Sequence, residues 1–217
     1  MPLGVREVVR SYDSPVVRAY AAIRFQILRQ RFLDEIGQYL PERGRVLDVG
    51  CGFGLFALYF AGQSVERDVQ GFDYDARRVA MATRSAARIG LANCRFSVAD
   101  AAAVDIDQPF DAVYMLDILH HIPVPAVGPL IGRITRNLAP GGRLIVKDVA
   151  DRPAHKRWFT WALDKAMDYR TPVTYWSIDD MRRMLAGHGY VVHVHRMVDY
   201  LPYPHVIYVC TRNDSLA

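Results

Sequence analysis

Two groups of residues in this 217-residue chain have the types and spacing to do chemistry. The first is the stretch DILHH, which sets Asp117, His120 and His121 at i, i+3 and i+4, so that one helical turn gathers them on one side. A histidine there, oriented by Asp117, can act as a general base. The same trio can instead hold a divalent cation, and two imidazoles with a carboxylate suit zinc or iron better than magnesium. A third possibility is that one histidine only packs beneath the site. The second group is the run RVLDVGCGFG (45–54), where glycine falls at positions 50, 52 and 54 straight after an apolar stretch ending at Asp48 and Val49. Such a loop leaves backbone N–H groups at the start of the next helix, with no Cβ between them and a ligand.

Further acids fall where that loop needs them. Asp73 closes the second apolar stretch, where a carboxylate can accept both hydroxyls of a ribose. Asp100, in SVADA, can accept from an exocyclic adenine amine while the Ala101 N–H donates to the ring, and Tyr74 can cover one face of the base. The glycine spacing is G-x-G-x-G and not the dinucleotide pattern G-x-G-x-x-G. A plain tight turn remains the simplest account of the glycines taken alone.

These residues can converge only if strands and helices alternate. Residues 15–40 read as a helix with Phe25, Leu28, Phe32, Ile36 and Tyr39 at steps of three and four, ended by Pro41 and Gly44. VLDV (46–49), DVQGFD (68–73), CRFSV (94–98), FDAVYML (110–116) and RLIVKDV (143–149) read as buried strands, with helices after the first, second and fourth. Asp75 can cap the second of those helices. This alternation demands right-handed crossovers and a parallel sheet. Near the C-terminus, Ser177 to Asp180 resembles a capping box, and the strands 190–198 and 204–211 follow so closely that they must pair antiparallel. The fold class predicted is α/β: a doubly wound, mostly parallel seven-stranded sheet with a reversed strand near its C-terminal edge, plus an N-terminal helical lid.

Composition narrows the class further. Fifty-one per cent hydrophobic and 23% charged residues describe an ordinary globule. The start, MPLGVREVVRSYDS, lacks the apolar core of a signal peptide. Cys51, Cys94 and Cys210 form no disulfide framework, which predicts the reducing cytoplasm. The net charge of +4 is all in residues 1–33, where six arginines face only Glu7 and Asp13. A polyanion binder more often spreads its basic residues over a whole face, so no nucleic-acid partner is predicted. A solvated helix face is the plain reading of that excess.

VLDVGCGFG, GFDYD, SVADA, FDAVYMLDILHHI and LAPGGRLIVKD together resemble the ordered motifs of class I S-adenosylmethionine-dependent methyltransferases, over about residues 40–211. The resemblance implies S-adenosylmethionine as cofactor. It implies that Asp48, Gly50, Gly52 and Gly54 surround its methionine part, that Asp73 holds its ribose, and that Tyr74, Asp100, Ala101 and Leu116 border its adenosine. It also implies that His121 is the favoured base, beside His120 and Asp117. The fourth strand lacks the Asn-Pro-Pro-Tyr type motif of enzymes that methylate planar amines, which points to a small-molecule acceptor.

Two segments are expected to build the acceptor pocket. The N-terminal helix of an appendage spanning 1–40 supplies Tyr20 and Arg24. An insertion at 152–176 in the methyltransferase domain (41–217) supplies Trp158 and Trp161. Its aromatic residues suit an apolar, aromatic or lipid-like acceptor, and tryptophan beside basic residues also suits a peripheral membrane contact; ordinary core packing is the plain alternative. Two rival functions stay open: a nicotinamide-dependent oxidoreductase, and a non-catalytic cofactor-binding or membrane-associated protein of the same fold.

Overall fold

In chain order the elements are α1 (Val5–Ser11), α2 (Pro15–Gly37), β1 (Gly44–Val49), α3 (Leu55–Ala61), β2 (Arg67–Asp73), α4 (Ala76–Arg88), β3 (Cys94–Val98), β4 (Phe110–Leu116), a 3-10 turn (Leu119–His121), α5 (Val124–Arg136), β5 (Leu138–Val149), α6 (Ile178–Gly187), β6 (Tyr190–Arg196) and β7 (His205–Arg212). They come from a computed structural model that describes residues 2–149, 174, 176–196 and 205–213. The insertion expected at 152–176, with Trp158 and Trp161, lies outside the described residues except for Thr174 and Trp176.

The seven strands form one sheet in the order β3-β2-β1-β4-β5-β7-β6. Neighbours from β3 to β5 are parallel, and β7 is antiparallel to both β5 and β6. The reversed strand is therefore β7, one place in from the edge, and the edge strand β6 runs with the parallel set. Chain order steps outward in opposite directions on either side of the β1–β4 pair. The crevice outside the carboxyl ends of the strands at such a reversal is where open α/β sheets take ligands. Asp48, Asp73 and Asp117 all lie at or just past those ends.

Side chains alternate across the sheet and feed two cores. Ala112, Tyr114 and Leu116 of β4 join the cluster built with α1, α2 and α3, while Val113 and Met115 join the one built with α5 and α6. Several start signals act as read. Asp75 accepts from the backbone N–H groups of Arg77 and Arg78, and Ser177 accepts from that of Asp180 at 3.1 Å.

The N-terminal helix departs from its expected form. It ends at Gly37, and it is broken at Arg29, whose φ of 44° and ψ of 167° are not helical. Phe25 and Leu28 before the break and Phe32, Leu33 and Ile36 after it are all buried in one cluster. The apolar period runs through the break because both halves cover the same core. Side chains of α1 and α2, in the stretch expected as an appendage, pack in one cluster with residues of β1 and β4. Among the described residues no helix is long and apolar enough to cross a membrane.

Candidate cofactor and acceptor site

The glycine loop joins β1 to α3. Gly50, Gly52 and Gly54 all have positive φ, at 73°, 55° and 77°. Their surroundings differ. A Cβ on Gly54 would lie 2.8 Å from the Ala82 Cβ, and one on Gly50 would collide with the Ile118 side chain, whereas one on Gly52 would meet no described residue within 4 Å. Packing within the protein accounts for the first and third glycines. Of the three, only Gly52 opens onto space that no described residue fills.

Asp73 is 4% exposed and ties this loop to the next strand end. One carboxylate oxygen accepts the Gly52 N–H at 2.9 Å and the other accepts the Asp75 N–H at 2.9 Å. Asp48, 3% exposed, accepts the Tyr114 hydroxyl at 3.0 Å. Burial pushes its carboxyl up to about 8; the Tyr114 hydrogen bond opposes that rise and the Asp73 charge adds to it. At the third strand end Asp100 is exposed and accepts the Ala102 N–H at 2.8 Å. Arg133 of α5 donates to the carbonyls of Ala101 and Ala102 at 2.9 and 3.0 Å, holding the loop that follows Asp100. Tyr74 is exposed beside Asp73, and Leu116 closes β4.

The N-terminal helices lean on the same loop. Tyr12 donates to the Phe53 carbonyl at 2.8 Å, and the Tyr20 ring meets the Phe53 ring edge-on with centroids 5.6 Å apart. The Arg78 guanidinium lies 5.6 Å from the Phe53 ring centroid. Arg24 of α2 pairs with Asp117. Both acceptor-side residues expected on this helix therefore reach the carboxyl edge of the sheet.

Asp117, His120 and His121 are brought close but not as one helical face. The helical turn starts only at Leu119, and Asp117 precedes it with a φ of 59°. The Asp117 carboxylate takes Arg24 and Lys147. Lys147 is fully buried, and burial lowers its ammonium while Asp117 raises it. The acid on the histidine is Asp148, not Asp117: Asp148 Oδ1 lies 2.5 Å from His120 Nδ1, and Oδ2 accepts the His120 backbone N–H at 3.2 Å. His120 and Asp148 are 2% and 5% exposed, and the His121 ring lies beside His120 with centroids 4.1 Å apart. Among the described residues no three of His, Cys, Asp and Glu converge as a metal site. Sequence reasoning missed Lys147, Asp148 and Arg133. The signal for the first two was there, in two charges closing the apolar run LIV at a strand's carboxyl end; Arg133, one basic residue on an amphipathic helix, carried none.

The chain is similar to known proteins in sequence and in fold. A family profile described as a methyltransferase domain covers residues 20–195. A ubiquinone biosynthesis O-methyltransferase of Xylella fastidiosa (strain 9a5c) is 32% identical over 119 residues, which is 54% of this chain and 47% of that protein. Phosphoethanolamine N-methyltransferase 3 of Arabidopsis thaliana is 36% identical over 112 residues, 50% of this chain and 22% of that protein. The matches thus take in half or less of the length of these relatives. Among solved structures, the DhpI–SAH complex aligns over 97% of both chains with a TM-score of 0.67 at 20% identity, a likeness of fold.

Proposed function

The chain belongs to the methyltransferase-domain family, and from that premise we propose that it transfers the methyl group of S-adenosylmethionine to a small organic acceptor. The observation that carries this reading is the open face of Gly52, whose N–H rests on the Asp73 carboxylate. A nucleoside laid across that opening meets Asp73 at its ribose. Its base reaches Asp100 and the Ala101 N–H, in a loop kept in place by Arg133. Its methionine end lies toward Asp48.

The sulfonium already activates the methyl carbon, so the protein's main task is to align a nucleophile in line with the bond that breaks. Alignment can supply about 7–11 kcal/mol of barrier reduction. A protonated nucleophile also needs a base. His120 fills that role: donating Nδ1–H to Asp148 fixes the tautomer and leaves Nε2 basic. Asp117, held by Arg24 and Lys147, ties α2 to the carboxyl end of β4. The aromatic residues of 155–170, Trp158 and Trp161 among them, support an apolar or aromatic acceptor, and the named activities of the relatives above include methylation of oxygen and of nitrogen.

Equilibrium titration with S-adenosylhomocysteine and with NAD tests the reading. Binding of the first and not the second is the expected result; the reverse would establish the oxidoreductase rival. Methyl transfer from labelled S-adenosylmethionine to a panel of phenols and amines then separates an enzyme from a protein that only keeps the cofactor.

A further inference from the structure

Asp48 is buried near the carboxyl end of β1, just before the glycine loop, with the Tyr114 hydroxyl as a hydrogen-bond partner. Among the described residues no ion pair includes it. The titratable groups within electrostatic reach of it are Tyr114 from β4, Asp73 from β2, Cys51 from the loop and Cys94 from β3. Tyr12 and Arg67 stand one step further out, against the cysteines and Tyr114 respectively. Burial raises Tyr114, Cys51 and Cys94, so these stay neutral. The remaining charge, on Asp73, has the same sign as an ionised Asp48. A carboxylate in this place is desolvated and repelled, whereas a carboxyl group is not.

The opening at Gly52 lies in the loop that follows Asp48, four residues on. We propose that Asp48 keeps a proton while the site is empty and releases it to solvent when the ammonium group of the cofactor's methionine end arrives, so that the site selects ligands bearing that amine. The inference rests on the assignment of the loop to S-adenosylmethionine. A cation at about 4–6 Å lowers a carboxyl pKa by about 1–3 units. Starting from about 8, that shift moves the proton off Asp48 at neutral pH. Affinity for S-adenosylhomocysteine then rises with pH between the bound and empty values, by up to about tenfold per unit.

The test is calorimetric titration of the full chain with S-adenosylhomocysteine at neutral pH, in phosphate and in Tris. The difference between the two heats gives the protons released, and between about half a proton and one is expected. Asp48→Asn, which keeps the shape and cannot ionise, should release none. 5′-Methylthioadenosine, which retains the nucleoside and lacks the amine, should release none from the wild-type protein. Binding without proton release would overturn the inference and leave the cofactor assignment standing; no binding at all would overturn both. Release that persists in Asp48→Asn, or that 5′-methylthioadenosine also triggers, would show that another group or another part of the ligand is responsible, and the inference would fall.

Discussion

Asp148 grips His120 at two points, its Oδ1 at 2.5 Å from the ring Nδ1 and its Oδ2 on the backbone N–H at 3.2 Å. The grip joins the end of β5 to the turn after β4, so the ring cannot rotate without losing a buried carboxylate partner. On the function proposed above, Asp148 positions the ring and His120 is the proposed base. His120→Ala should lower kcat by about 10²–10⁴-fold with S-adenosylhomocysteine affinity unchanged. Asp148→Asn should also lower kcat more than it changes KM, because an amide no longer favours the Nδ1–H tautomer. Turnover by His120→Ala close to wild type would pass the role to His121, and the same assay on His121→Ala would show it.

The glycine loop separates a structural requirement from a binding one. Gly54→Ala forces a Cβ against Ala82 and the Phe96 ring, so the helix pair α3–α4 has to move apart and the melting temperature should drop sharply. Gly52→Ala meets no neighbour and costs only the left-handed backbone, about 1–2 kcal/mol. It should still fold, yet weaken S-adenosylhomocysteine by more than about tenfold, because the new methyl occupies ligand space. If calorimetry shows Gly52→Ala binding as wild type does, the loop is only a turn.

The sequence made the frame legible because its signals are local. The runs 94–98 and 110–116 are strands to the residue, and Asp75 and Ser177 cap helices as their types require. It placed the strand-end acids because a parallel sheet sends every strand's carboxyl end to one edge. What it could not show depends on contacts between distant segments. The i, i+3, i+4 spacing put Asp117 with His120, but a helical turn that begins at Leu119 leaves Asp117 outside it, free to meet Arg24 from 93 residues earlier. Asp148 reaches His120 only because β4 and β5 pair side by side. The break at Arg29 left no trace, since the apolar period continues through it.

Asp48 also writes its state into stability, and the sign can be worked out. Its carboxyl sits near 8 in the folded protein, while in the unfolded chain it returns to about 3.9. Between those values the folded form binds more protons than the unfolded form, so Asp48 makes stability fall as pH rises through that window. Below the window both states are protonated and the penalty vanishes; above it both are ionised and the penalty is complete. Asp48→Asn removes the ionisation and keeps the contact with Tyr114. The melting temperature of the ligand-free variant, relative to wild type, should therefore climb steadily from pH 5 to pH 8. Saturating S-adenosylhomocysteine should shrink that advantage, since the ammonium supplies the charge that the buried carboxylate lacks. A difference in melting temperature that stays flat across this range would mean that Asp48 is ionised in the empty protein.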